Sequence, residues 1–231
     1  MNAPLSIVIP TLNAADTLPV ALEALVPGVV AGLVRDVVVA DGGSSDGTLA
    51  IADHMGARII KTTRGGGHLL REGAAAAQGD WLLFLHADTI LEAGWARMVR
   101  DFMERAARAK ALQAAAFTFA LDDFSPSARR LERMVAWRCR ILALPYGDQG
   151  LLISRAFYDG LGGFQDMPLM EDVDIVRRIG RRRLSVLPVR AVTSADRFRS
   201  DGYVLRSARN LSILGLYFLR VPPRLLARLY G

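Results

Sequence analysis

The chain has 231 residues, 52% hydrophobic and 23% charged, with a formal net charge of +6. That apolar content suffices for one well-buried domain and excludes disorder as its bulk character. The lone cysteine, Cys139, excludes an intramolecular disulfide and fits a reducing setting with a buried, inert thiol; the positive charge favours anionic partners such as phosphate-bearing ligands, nucleic acid or an acidic membrane face.

Leu5-Ser6-Ile7-Val8-Ile9-Pro10 reads as a first strand, and because no basic residue precedes Arg35 it lacks the charged start of a secretory signal, which predicts a cytoplasmic protein. Further apolar runs of strand length follow at Val37 to Asp41, Ala57 to Lys61, Trp81 to His86 and Ala114 to Leu121, with helix-like stretches between them. This alternation predicts an α/β fold. The first four runs are nearly continuous in apolar residues, as in a mostly parallel, Rossmann-like sheet covered by helices on both faces. Trp95, Met98, Val99, Phe102 and Met103 carry the spacing of an amphipathic helix, and Leu131, Met134, Val135, Ile141 and Leu142 repeat it; both sets are read as core faces.

The character changes from Leu184 onward, which suggests one domain over residues 1–200 and an amphipathic helical tail over 201–231 that belongs to the same unit. The run Leu211 to Leu219 is flanked by Arg206, Arg209, Arg220, Arg224 and Arg228 and broken by Pro222-Pro223. It falls short of the roughly 20 apolar residues that span hydrocarbon. Two readings stand: a helix lying on an anionic membrane surface, or one docked on the domain with solvated arginines. The arginines at 177, 178, 181, 182 and 183 have no interleaved aromatics, which argues against nucleic acid.

Asp41 ends an apolar run and precedes Gly42-Gly43, at the carboxyl end of a strand where ligands bind in open α/β sheets. Asp46-Gly47-Thr48 is better read as a turn and helix cap. Arg64-Gly65-Gly66-Gly67 offers free N–H groups and a cation to phosphate oxygens, although neither a P-loop nor a Gly-x-Gly-x-x-Gly is present. His86 and Asp88 lie two residues apart and share a face in extended backbone; for His86 a structural hydrogen bond is favoured over metal ligation. Glu171, Asp172 and Asp174 fit the first turn of a helix, where neighbours diverge, so at most one of Glu171 and Asp172 faces a site.

In order along the chain, Ile9-Pro10-Thr11-Leu12-Asn13, Asp41-Gly42-Gly43-Ser44-Ser45-Asp46-Gly47-Thr48, His86-Ala87-Asp88, Gly147-Asp148-Gln149-Gly150 and Glu171-Asp172 resemble the family 2 glycosyltransferases, over roughly residues 5 to 200. The resemblance implies a GT-A fold, a nucleotide-sugar donor, a divalent cation (Mg²⁺ or Mn²⁺) and inversion at the anomeric carbon. It places Pro10, Thr11, Asn13, Asp41, Gly43, Arg64, Gly65, Ala87 and Asp88 around the donor, with Asp88 as the metal ligand. Asp172 is the implied general base, with Glu171 beside it, and the helix start is expected to keep Asp172 ionised near neutral pH. Gly147, Asp148 and Gln149 resemble the loop beside the acceptor, which is a small molecule or a lipid. A polar turn is the plainer reading of that loop.

Two departures stand out: the paired acids of the metal motif are reduced to His86-Ala87-Asp88, and Ala14 replaces an acid common after the early asparagine. The Gln-x-x-Arg-Trp signature of processive synthases is absent, so a single transfer is expected. The thinned metal motif leaves one alternative, a nucleotide-sugar-binding protein without transferase activity. The wording around His86 and Asp172 is also similar to a compact bacterial subgroup associated with arsenosugar assembly.

Overall fold

Continuous apolar runs form the centre of the sheet because each strand there is covered on both sides. In the computed structural model, which describes residues 3–230, the chain runs through β1 (Leu5–Thr11), α1 (Leu18–Glu23), α2 (Val26–Val30), β2 (Val34–Asp41), α3 (Thr48–His54), β3 (Arg58–Lys61), α4 (Gly66–Ala76), β4 (Trp81–Phe84), β5 (Thr89–Leu91) and α5 (Trp95–Ala109). It continues through β6 (Ala114–Leu121), α6 (Pro126–Leu142), a 3₁₀ turn (Gly147–Gln149), β7 (Leu151–Ser154), α7 (Arg155–Gly160), α8 (Glu171–Ile179), β8 (Leu184–Thr193), α9 (Asp196–Asp201), α10 (Tyr203–Phe218) and α11 (Pro223–Tyr230).

The strand order is β3-β2-β1-β4-β7-β6-β8-β5. The half built from β1 to β4 is wholly parallel, as expected. The other half is mixed: β7 runs antiparallel to both β4 and β6, β6 and β8 are parallel, and β5 is antiparallel to β8. Because β2 and β4 flank β1 on opposite sides, the chain reverses direction across the sheet at β1, which opens a crevice at the carboxyl ends of these strands.

Burial alternates inside the apolar runs. Leu5, Ile7 and Ile9 join the core under α5 around the fully buried Trp95, whereas Val8 joins the opposite core with Leu70, Phe84, Phe157 and Val173. Gly73 of α4 packs so closely on β1 that a Cβ there would lie 2.4 Å from Val8 Cγ1. A third cluster joins Phe119 and Leu121 of β6 to Leu131, Val135 and Cys139 of α6.

Two expectations change here. On α6 the buried positions are Ala128, Leu131, Val135, Arg138 and Cys139, while Met134, Ile141 and Leu142 are exposed. An arginine occupies a core-facing position, which displaces the apparent apolar stripe by part of a turn. The tail is a docked structure: Ile213 and Leu226 are buried, Leu214 and Tyr217 pack against the second core, and the Arg177 guanidinium lies over the Phe218 ring. Most of the arginine run is engaged in bonds to carbonyls, Arg178 donating to Leu161 O, Arg181 to Ile141 O and Arg183 to Ile179 O, while Arg178 also pairs with Asp174 within α8. No helix among the described residues is long and apolar enough to cross a membrane.

Candidate active site

The carboxyl ends of β1 and β2 meet at Thr11 and Asp41, which are register partners, and both side chains are buried. Asp41 accepts four hydrogen bonds, from Thr11 Oγ1 (2.9 Å), Gly43 N (2.9 Å), Ser44 N (2.8 Å) and Ser44 Oγ. Burial opposes its charge, but these donors outweigh burial and hold the carboxyl below its usual range. Asn13, in the left-handed region at φ 51°, accepts from Ser45 N through Oδ1, and its own N–H donates to Ser44 Oγ. Asp46 accepts from Thr48 N and Ala15 N, so it caps and cross-links as a turn residue should. Pro10, Thr11, Asn13, Asp41 and Gly43 therefore form one braced ledge.

The glycine loop is less free than its sequence suggests. Gly67 N donates to Met167 O, and a Cβ on Gly66 would stand 2.2 Å from Glu171 Oε1. The start of α4 thus abuts the segment leading into α8, a correction to the expected row of open N–H groups; Gly65 has φ 146° and Arg64 is exposed.

Across the crevice, the residues following β4 meet the 3₁₀ turn and the start of α8. Leu85 N still donates to Val8 O, so the chain leaves the sheet at His86. His86 Nδ1 lies 2.9 Å from Asp148 Oδ1. Potential ligand atoms of His86, Asp88 and Asp148 all fall within 4.8 Å of one another. One imidazole and two carboxylates could hold a divalent cation that takes both nitrogen and oxygen donors. His86 therefore has the hydrogen bond expected of it and also a place in the donor set, and Asp148 joins Asp88 there.

Asp172 Oδ2 accepts from Gly147 N at 2.9 Å, and Oδ1 from Val173 N at 2.7 Å. Burial raises its carboxyl above the ordinary range in spite of these donors, the reverse of the shift expected from a helix start alone. Burial likewise raises Asp88, with Asp148 adding to the effect, and pushes Glu171 up to about 7 with help from Asp172. For His86 burial works against the charged ring, yet Asp148, Asp88 and Asp172 raise it to about 9. Burial opposes ionisation of Asp148 as well, but the hydrogen bond to His86 prevails and lowers it.

Gln149 does not face the crevice. It is 1% exposed; its Nε2 donates to Phe117 O, and its Oε1 accepts from Tyr146 N and from the Cys139 thiol. The expected acceptor contact is thus replaced by a structural one that shapes the turn, while Gly147 and Asp148 remain at the site. Burial raises the Cys139 thiol, consistent with inertness. Three neighbours of the site escaped the sequence reading: Tyr146, Arg138 on α6, and Arg197 on α9, whose charge stabilises the Asp88 and Asp148 carboxylates. Only Tyr146 carried a signal, its adjacency to Gly147.

Comparison with known proteins agrees with this geometry. The chain is 40% identical over 99 residues to the PGL/p-HBAD biosynthesis glycosyltransferase of Mycobacterium bovis, and 33% identical over 95 residues to the glucosyl-3-phosphoglycerate synthase of Mycolicibacterium paratuberculosis. These stretches take in 39% and 37% of this chain, and 38% and 29% of the respective relatives. The glucosyl-3-phosphoglycerate synthase of Mycobacterium tuberculosis, solved with Mn²⁺, uridine diphosphate and phosphoglyceric acid, is similar with a TM-score of 0.55 at 21% identity, covering 79% of this chain and 67% of that one. S. aureus TarS 1-349 is similar with a TM-score of 0.60 at 16% identity, covering 83% and 60%. These likenesses establish a shared GT-A fold. A model of the family described as Glycosyl transferase family 2 matches residues 6–150, and the chain belongs to that family.

Proposed function

We propose that the chain transfers a sugar from a nucleoside-diphosphate sugar to an acceptor hydroxyl, with inversion at the anomeric carbon and Asp172 as general base. The observation that carries this reading is the convergence of Asp172, anchored by Gly147 N–H, with His86, Asp88 and Asp148 at the carboxyl edge of the sheet. The braced ledge of Thr11, Asn13 and Asp41 holds the nucleoside end, and UDP is the donor class taken from the solved complexes of the related synthase.

His86, Asp88 and Asp148 would hold a divalent cation, which when bound stabilises charge on the leaving diphosphate by several kcal/mol. Asp172 receives the proton of the acceptor hydroxyl as its oxygen bonds to the anomeric carbon; the bond from that carbon to the diphosphate oxygen breaks, and its electron pair leaves with the diphosphate. A carboxyl raised by burial is a stronger base than an exposed one, which suits the task. Glu171 lies against Gly66 instead of Gly147, which leaves Asp172 as the base.

Calorimetric titration with UDP, GDP and their sugar conjugates, with and without Mn²⁺, tests the donor half of the reading. Metal-dependent nucleotide binding that Asp88→Ala abolishes supports it. A folded protein that binds none of them overturns it, and donor binding with no transfer to any acceptor would favour the binding-protein reading.

A further inference from the structure

Arg138 is the most anomalous side chain near the site. It is 7% exposed, and its guanidinium carbon lies over the Tyr146 ring, 3.6 Å from the centroid. Its Nε is buried with no hydrogen-bond partner, and no ion pair among the described residues includes it. The other buried arginine, Arg206, pairs with Asp201. Burying an unpaired cation is unfavourable, and stacking on one aromatic ring recovers only part of that. The position is also specific: Tyr146 immediately precedes Gly147, whose N–H holds Asp172.

We propose that Arg138 receives an anionic group of the acceptor, a phosphate or a carboxylate, and so sets the acceptor hydroxyl against Asp172. A guanidinium over a ring keeps its in-plane N–H donors for an anion, which a carboxylate or phosphate can meet in two-point fashion. The position favours the acceptor over the donor: the ring beneath Arg138 belongs to Tyr146, the residue next to the Gly147 N–H that holds Asp172. The ligand's identity as an acceptor rests on the sugar-transfer reading; the anion site does not.

Glycerol 3-phosphate, glycerate and glycerol are matched probes for calorimetric titration of the full chain saturated with UDP and Mn²⁺. The wild-type chain should bind at least one anion about tenfold or more tighter than glycerol, and the stronger of the two identifies phosphate or carboxylate as the preferred group. Arg138→Gln should erase that preference with UDP affinity unchanged, and Arg138→Lys should keep part of it. Equal binding of all three probes by the wild-type chain, or a preference undiminished in Arg138→Gln, overturns the proposal. Should the glutamine variant fail to fold, the wild-type preference and the lysine variant decide the matter. Should UDP not bind at all, the probes are titrated alone: a persisting anion preference that Arg138→Gln erases and Arg138→Lys keeps in part supports the site while the transfer reading falls, and its absence overturns the site too.

Discussion

The two banks of the crevice are built on opposite electrostatic principles. On the ledge formed by β1 and β2, Asp41 and Asp46 are surrounded by N–H and O–H donors and are held below the usual carboxyl range. On the facing bank, burial raises Asp88, Asp172 and Glu171, only Asp148 is lowered, by its bond to His86, and Arg138 has no ion-pair partner among the described residues. A satisfied network rigidifies, whereas unsatisfied charge is a store of binding and proton affinity. The first bank is braced by its own donors before it meets the proposed nucleoside; the second leaves charge for a ligand to complete.

Removing the base should have the largest effect. Asp172→Asn keeps the acceptor oxygen for Gly147 N–H but accepts no proton, so transfer should fall by about 10² to 10⁴ while calorimetry shows donor binding retained. Full activity would end the contrast, because the facing bank would then be structural too. On the ledge the same kind of change should act on folding instead. Asp41→Asn turns one acceptor oxygen into a donor facing N–H or O–H groups, and urea unfolding should show a loss of about 1 to 3 kcal/mol.

Gly73→Ala tests the packing beneath both banks, since its Cβ would press on the stiff Val8 side chain. An overpacking penalty of about 1 to 3 kcal/mol is expected by the same measurement. The smallest effect concerns pH. Glu171 has a folded value of about 7 against an ordinary 4.5, so the folded state holds its proton more tightly than the unfolded state. Its contribution to stability is full below about 4.5 and is lost as pH rises through about 7. In the metal-free protein, Glu171→Gln should flatten the fall in urea midpoint across that window; an unchanged slope would remove Glu171 from the charged bank.

The ledge was legible in the sequence because its logic is local. Strand, aspartate, two glycines and a capping turn follow one another within a dozen residues, and β1, β2 and β4 announce themselves by apolar runs, whereas β3 is a short edge strand with charged ends. The facing bank is assembled from distant segments. β7 is only four residues long, and β8 carries Pro188 within a register jump in which Phe117 pairs with Leu187 but Thr118 with Arg190. Proline at such a bulge is tolerated, yet it disguises the strand. Arg138 was invisible for a related reason: on an amphipathic helix an arginine reads as solvent-facing, so its core position went uncounted. Gln149 misled in the opposite sense, as a polar residue beside a site whose amide points inward.

The anchor of Asp172 is a main-chain N–H, and this shapes how the protein can diverge. A peptide group is not removed by exchanging a side chain, so substitutions at Tyr146 change the surroundings of Gly147 without deleting the N–H that orients the Asp172 carboxyl. Only Gly147 itself is constrained, because a Cβ there would come within 3.3 Å of the His86 ring and 3.5 Å of Asp172 Oδ2. Side chains beside Gly147 can therefore vary while the orientation of Asp172, the proposed base, is kept.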